Sequence, residues 1–262
     1  MEGHPPTLCV ETWAGSAILS KEWVRLGFTG KAYECKPNGQ YLPEGDVSRP
    51  QVQSELYNDV MEGLVYHAHI AVSCTTWTLI RALGGRTPTS RTRDLPQGDG
   101  SVAAEVEANK EMGVALWYLY LCARNGIYCA LEHPTPSRVW LLPAIHFLKE
   151  VASFFTISLD QCAWGKRPGD WDPLSGDVRT KKGTHIITNN PYPRTLERRC
   201  ADVVAHSHQQ TWGQSRTGES RTSEAAAYPE MMARAYAQAI RAAWVHNSRP
   251  AAAVIPEITK QM

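Results

Sequence analysis

Two side chains combine reactivity with a position where an α/β fold would use it. Cys74 stands in Ser73-Cys74-Thr75-Thr76, directly behind the apolar run 68–72, and Glu132 stands in Glu132-His133-Pro134, directly behind the apolar run 127–131. If both runs are parallel strands, the thiol and the carboxyl leave their carboxyl ends, and that edge faces the cleft where such folds bind ligands. A thiol there can act as a nucleophile and a carboxyl as a hydrogen-bonding acid. The competing reading of Cys74 is a small, inert core residue.

A second group of residues has the makings of a ligand cradle. Glu11-Thr12-Trp13-Ala14-Gly15-Ser16 reads as the end of a first strand followed by a tight turn. A glycine there lets backbone approach a ligand closely, and the next helix offers its N-terminus. Glu34 follows about 20 residues later, where an acid can accept hydrogen bonds from ribose hydroxyls. In Glu44-Gly45-Asp46-Val47 a turn can present Asp46 to an adenine amino group. Strand, glycine and acid in this order also serve plain packing in many α/β proteins.

The elements that must position these residues follow from apolar patterning. Strand candidates are 8–13, 32–34, 68–72, 127–131, 153–159 and 185–188; helical spacing covers 17–26, 102–124 and 224–245, the last interrupted early by Pro229. Strands alternating with helices predict an α/β fold. Residues 81–100 read as a mobile basic loop, and 189–223 as polar and aperiodic. The chain has 262 residues, 43% hydrophobic and 20% charged, which suits one α/β domain with a compact insertion. A net charge of +1 does not announce nucleic-acid binding, although a local basic face is compatible with it. Seven cysteines without a C-x-x-C pair signal neither a disulfide framework nor a zinc ribbon. With no leader-like start and no membrane-length apolar stretch, the chain reads as intracellular and soluble, in cytoplasm or nucleus, with no membrane partner.

Taken in order, these motifs resemble those of the cytosine-5 DNA methyltransferases, over about residues 8 to 245. TWAGSA is similar to that family's first cofactor turn, YEC and GDV to its second and third cofactor motifs, and IAVSCTTW to its Pro-Cys nucleophile motif. ALEHP is similar to its Glu-Asn-Val motif, KKGTHIITN to its later basic-then-strand motif, and EAAAYPEMMARAYAQAI to its closing motif and helix. The resemblance implies a Rossmann-like S-adenosylmethionine-dependent methyltransferase fold with a very small target-recognition region. It divides the chain into a catalytic core (1–188), a reduced recognition region (189–223), a helix returning to the core (224–246) and a flexible tail (247–262).

The same resemblance assigns S-adenosyl-L-methionine as cofactor, held by Trp13, Ala14, Gly15, Ser16, Glu34 and Asp46. It makes Cys74 the nucleophile that adds to cytosine carbon 6, and Glu132 the acid that hydrogen-bonds the base. Arg81, Arg86, Lys182 and Thr184 become substrate contacts, and nucleic acid, DNA first, becomes the partner. A duplex target would have to be flipped out of its stack. The chain departs from the family's pattern at Ser73 (Pro in the family), His133 (Asn), Ala17 (Gly), Lys181-Lys182-Gly183-Thr184 (Arg-x-Arg) and in its closing motif. These departures keep open a catalytically inactive nucleic-acid-binding or scaffold module, and the short 189–223 keeps open methylation of RNA or a nucleotide.

Some residues remain outside this scheme. Arg194, Arg198, Arg199, Arg216 and Arg221 read either as phosphate contacts or as a solvated loop. Cys162, Cys200, His206 and His208 are zinc-ligand types at a spacing that matches no strong zinc pattern. His67 and His69 read as structural or exposed residues flanking a strand.

Overall fold

Leu8–Thr12 (β1) is buried along all five residues, and a strand loses water on both sides only in the middle of a covered sheet. The computed structural model describes residues 6–78 and 88–254, apart from 212 and 217. Their order is β1, α1 (Ile18–Arg25), β2 (Thr29–Tyr33), α2 (Pro50–Met61), β3 (Val65–Ile70), α3 (Ala103–Arg124), β4 (Tyr128–Pro134), α4 (Pro143–Val151), β5 (Phe155–Asp160), β6 (Val178–Thr180), β7 (Gly183–Thr188), β8 (Ser207–Gln209), α5 (Arg221–Glu224) and α6 (Glu230–Val245).

Six strands form one sheet in the order β2-β1-β3-β4-β7-β5. β1 to β4 run parallel; β7 is antiparallel to both neighbours, so β5 points the same way as the first four. One apolar cluster packs α2, α3 and α4 on one face, through Val52, Leu56, Met112, Leu119 and Ile145. The other packs α1 and α6 on the opposite face, through Leu19, Trp23, Met232, Tyr236 and Ile240. This is a three-layer α/β/α fold of the Rossmann-like kind, with a mostly parallel central sheet. Its crossovers reverse between β1 and β3, so the ligand cleft belongs at the carboxyl ends of those two strands.

Strand parity then decides which side chains share a face. Leu8 and Val10 enter the α2–α4 face, while Cys9 enters the α1/α6 face. In β3 the register slips between Leu8 and Cys9 of β1, which puts Tyr66 at an irregularity and His67 opposite Cys9. The α1/α6 face of β3 therefore carries Tyr66, His67 and His69, all in contact with aromatic rings of that face.

The sequence expectations are corrected in several places. β2 starts at Thr29, and β3 spans 65–70 rather than 68–72. His67 and His69 lie within β3 and are fully buried. α2 and α4 were not anticipated; each opens on a proline, whose fixed φ and missing N–H suit a first helical turn. The helix expected over 224–245 begins at Glu230, because Pro229 ends what precedes it.

Residues 88–100 are also no loose basic loop. Glu105 accepts hydrogen bonds from Thr89 Oγ1 and Ser90 Oγ, each at 2.6 Å. Arg91 is buried, donates to the Pro96 and Glu105 carbonyls and to Thr76 Oγ1, and lies 3.5 Å above the Trp77 ring. Arg81 and Arg86 lie outside the described residues. The small sheet pairs β6 with β8, so it draws on chain from both sides of residue 188. Residues 247–254 contact the body: Tyr66 Oη donates to the Ser248 carbonyl at 3.1 Å, and Ala253 N–H to Ala123 at 3.0 Å.

Candidate active site

The cleft is lined first by the turn after β1. Trp13, Gly15 and Ala17 all have left-handed φ, at 54°, 54° and 51°, which costs a non-glycine residue on the order of 1–3 kcal/mol. Nothing lies within 4 Å of where a Gly15 Cβ would sit, so the turn opens onto free space. The Gly15 N–H donates to Glu34 Oε2 at 2.9 Å, and the Lys36 N–H to Glu34 Oε1 at 3.0 Å. Glu34 thus ties the end of β2 to the turn after β1.

Asp46 is brought alongside by Gly45, whose Cβ position falls 2.2 Å from the Glu34 carbonyl oxygen. Only glycine permits that approach. Burial pushes the Asp46 carboxyl up, but hydrogen bonds from Ser48 and Tyr41 outweigh it and hold the group below its ordinary range. Glu111 of α3, which the sequence reading missed, joins Glu34 and Asp46; burial and then Asp46 push its carboxyl up. Asp46 Oδ1 accepts twice from Ser48, while Asp46 Oδ2 and both Glu34 oxygens each keep a second lone pair beyond their one local bond. The open glycine turn beside these acids leaves room and hydrogen-bond acceptors for a ligand that carries hydroxyl or amino groups.

At the N-terminus of α1 the Ser20 N–H is already taken. Glu11, buried in β1, accepts from the Ser20 N–H at 2.8 Å and from Ser20 Oγ at 2.6 Å. Burial pushes its carboxyl up to about 7, against the pull of those bonds and of Lys21. A carboxyl on β1 thus uses one of the helix-end N–H groups that the sequence reading left open for a ligand.

Past β3 and β4 lie the chemical groups. Cys74 is half-buried behind β3. Burial pushes its thiol up, Lys182 pulls it down and Glu132 pushes it up again, so the three residues share one electrostatic neighbourhood. Glu132 is buried on β4; burial raises its carboxyl, and Lys182, Tyr228 and Thr184 oppose the rise. Its Oε1 has no hydrogen-bond partner among the described residues. Thr184 reaches it because β7 runs antiparallel beside β4, with Ile186 opposite Glu132 and Thr184 opposite Pro134. The two sequence-predicted catalytic residues and the predicted contacts Lys182 and Thr184 are therefore together, at the edge predicted for them.

Four residues that sequence reasoning did not single out hold this group. The Tyr228 hydroxyl lies beside Glu132 and 2.8 Å from His69 Nε2; the Tyr236 hydroxyl lies 3.3 Å from His69 Nδ1 and 3.2 Å from His67 Nε2. Burial lowers His69 to about 3, so it is a neutral hydrogen-bonding ring. Lys166 donates to the carbonyls of Glu224 and Ala227, and Lys182 to that of Ala225 at 3.2 Å. These two lysines grip the turn that delivers Tyr228. Burial, followed by repulsion from Lys182, lowers Lys166 to about 8. Gln161, fully buried after β5, donates to Thr184 Oγ1 at 3.0 Å. A polar side chain in the run Gln161-Cys162-Ala163-Trp164 was the available signal.

The region expected to read a target looks different from a bare basic loop. Arg194 stacks on Phe155 and Arg198 on Trp164, at 4.2 and 4.6 Å. Arg199 pairs with Asp160 and Arg216 with Asp170.

No family model matches the chain, and no curated protein matches it. Among solved structures, a mutant DNMT2 of Spodoptera frugiperda is similar over 72% of this chain, with 13% identity and a TM-score of 0.35. The chain spans about half of that protein's length (51%). No helix among the described residues is long and apolar enough to cross a membrane.

Proposed function

We propose that the protein is an S-adenosylmethionine-dependent methyltransferase that methylates cytosine at carbon 5 through a covalent adduct with Cys74. The observation that carries this reading is the neighbourhood of Cys74, Glu132 and Lys182 at the carboxyl ends of β3 and β4, next to an open glycine turn after β1.

When bound, S-adenosylmethionine supplies an electrophilic methyl group; Gly15, Glu34 and Asp46 would hold it. Cytosine carbon 5 is a poor nucleophile until carbon 6 is attacked. The Cys74 thiolate forms a bond to carbon 6 and pushes electron density toward carbon 5. Glu132, whose carboxyl is raised by burial, presents a proton to ring nitrogen 3, and its unpaired Oε1 accepts from the exocyclic amino group. That proton offsets the charge that builds on the ring. Burial holds the Cys74 thiol above its ordinary value, and Lys182 opposes that rise, so the lysine eases loss of the thiol proton to water as carbon 6 is attacked. Once carbon 5 has taken the methyl group, loss of its proton to water, return of the nitrogen-3 proton to Glu132 and release of the thiolate restore the aromatic ring.

DNA is the proposed substrate. A second substrate class, RNA or a free nucleotide, is favoured by the local engagement of Arg194, Arg198, Arg199 and Arg216, which leaves few of these cations for a duplex backbone. Incubating the protein with labelled cofactor and, separately, duplex DNA, single-stranded DNA, RNA and nucleotides tests both. Hydrolysis of the product should give 5-methylcytosine; label on the exocyclic nitrogen would rule out the adduct mechanism.

A further inference from the structure

Outside the residues of the candidate active site, four metal-binding side chains meet. Cys162 follows β5, Cys200 lies in a 3-10 turn, and His206 and His208 flank and enter β8. One donor atom from each lies within 4.8 Å of all the others. Cys200 Sγ is 3.6 Å from His206 Nε2 and 3.3 Å from His208 Nε2. A tetrahedral zinc, with Zn–S near 2.3 Å and Zn–N near 2.0–2.1 Å, separates sulfur and nitrogen ligands by about 3.5 Å. The side chains are spaced as such an ion requires.

The surroundings orient these donors. His206 Nδ1 lies 2.9 Å from the Val204 carbonyl; donating there fixes the tautomer and leaves Nε2 as a lone pair toward Cys200. The Cys200 N–H donates to Asp160 Oδ2 at 2.9 Å, and Arg179 Nη1 to the Cys162 carbonyl at 2.9 Å. Both thiol-bearing turns are thus anchored by their backbone. Neither cysteine is in a disulfide.

The same corner lacks an apolar core. Among the described residues, none from 197 to 224 belongs to either apolar cluster. β8 is three residues long, mostly exposed, and pairs only with the three-residue β6. Segments that cannot bury enough apolar surface are commonly held by a metal or a cross-link.

We infer that Cys162, Cys200, His206 and His208 bind one structural zinc ion, which pins β8 and the small sheet to the end of β5. Two thiolates and two imidazoles select zinc over harder cations. Four protein donors complete a tetrahedron and leave no open position, so the site is structural. It adjoins the candidate active site through Gln161, which precedes Cys162 and holds Thr184. The inference stands independently of the methyltransferase reading.

The test uses the untagged full chain, purified with zinc in the medium and exhaustively dialysed. Mass spectrometry of metal content should find one zinc per chain in the wild type and in Cys74→Ala. Cys200→Ser should lower it at least tenfold. Because that change reaches a partly buried turn, the exposed His208 supplies a second variant: His208→Asn should lower zinc retention while its circular dichroism matches wild type. Cobalt replacing zinc should give the intense visible absorption of a tetrahedral thiolate site, lost in both variants. A wild type without stoichiometric zinc, a variant that retains it, or a weak octahedral cobalt spectrum would each overturn the inference.

Discussion

The Tyr228 hydroxyl lies 2.8 Å from Nε2 of His69 and touches the Glu132 carboxyl as well, so one phenol joins a residue of β3 to a residue of β4 above the sheet. Burial leaves His69 neutral, and the hydroxyl, after Lys182 and alongside Thr184, opposes the rise of the Glu132 carboxyl. Tyr228 is a positioning residue, acting through Glu132.

Replacing Tyr228 with Phe therefore raises the Glu132 carboxyl further. A hydrogen bond to an ionisable group contributes about 1.5–3 kcal/mol, so methyl transfer should fall by roughly 10- to 100-fold. Cofactor affinity should stay unchanged, because Tyr228 is not part of the Gly15 turn. The alkaline limb of the rate profile, where Glu132 loses the proton it presents, should move to higher pH. A profile that drops in height without moving would assign Tyr228 a purely structural role.

Lys182 pulls down both Cys74 and Glu132. In Lys182→Met the Cys74 thiol rises, and its alkylation by iodoacetamide at pH 8 should slow several-fold, with the rate-against-pH curve displaced upward. The comparison variant Lys166→Met loses the grip on the Glu224–Ala227 turn, yet Lys166 is not among the groups acting on Cys74. Its alkylation curve should therefore remain in place.

Much of this was legible in the sequence, and for a physical reason. β1, β4, β5 and β7 are short apolar runs closed by turn residues, and α3 is a long run closed by Asn125-Gly126; such patterns follow from burial alone. Cys74 and Glu132 were named from the sequence because each stands directly behind a short apolar run, and Lys182 and Thr184 because Lys181-Lys182-Gly183-Thr184 resembles a family motif. α2 and α4 were missed because they start on prolines inside stretches without strong periodicity. Tyr228, Gln161 and Lys166 were missed because their roles depend on β7 running antiparallel between β4 and β5, and strand order is a long-range property that local pattern does not encode. His67 and His69 look like polar interruptions in sequence and become core residues only because Tyr236 and Tyr228 meet their ring nitrogens.

The two glycines of the cofactor half make separable predictions. Gly15 has a positive φ with open space around it, so Gly15→Ala costs only the left-handed backbone, about 1–2 kcal/mol. Gly45→Ala drives a methyl into the Glu34 carbonyl and should cost more, about 2–3 kcal/mol, while also moving Asp46 away from Glu34. Urea denaturation gives the first ordering, and calorimetry with the cofactor should show the larger loss of affinity in Gly45→Ala. Equal costs would contradict the close approach of the two turns.

Glu11 supplies a pH dependence with a definite sign. Its folded carboxyl titrates at about 7, above the ordinary 4.5. An acid raised on folding favours the folded state while it is protonated, so its contribution is full below about 4.5 and is lost as pH rises through 7. At 1.36 kcal/mol for each tenfold change in proton affinity, the loss is at most about 3 kcal/mol. Glu11→Gln keeps an oxygen for Ser20 and removes the charge. Its stability should exceed wild type at pH 8, with the gap closing by pH 4. A gap that is constant with pH would show that Glu11 does not titrate in this range.

The central claim is that Cys74 forms the bond that activates the base. The most direct measurement compares wild type with Cys74→Ala in two readouts from the same preparation: S-adenosylmethionine affinity by calorimetry, and transfer of labelled methyl to cytosine. The account predicts that affinity is retained within about twofold while transfer falls below detection. Transfer by Cys74→Ala at a rate near wild type would contradict it.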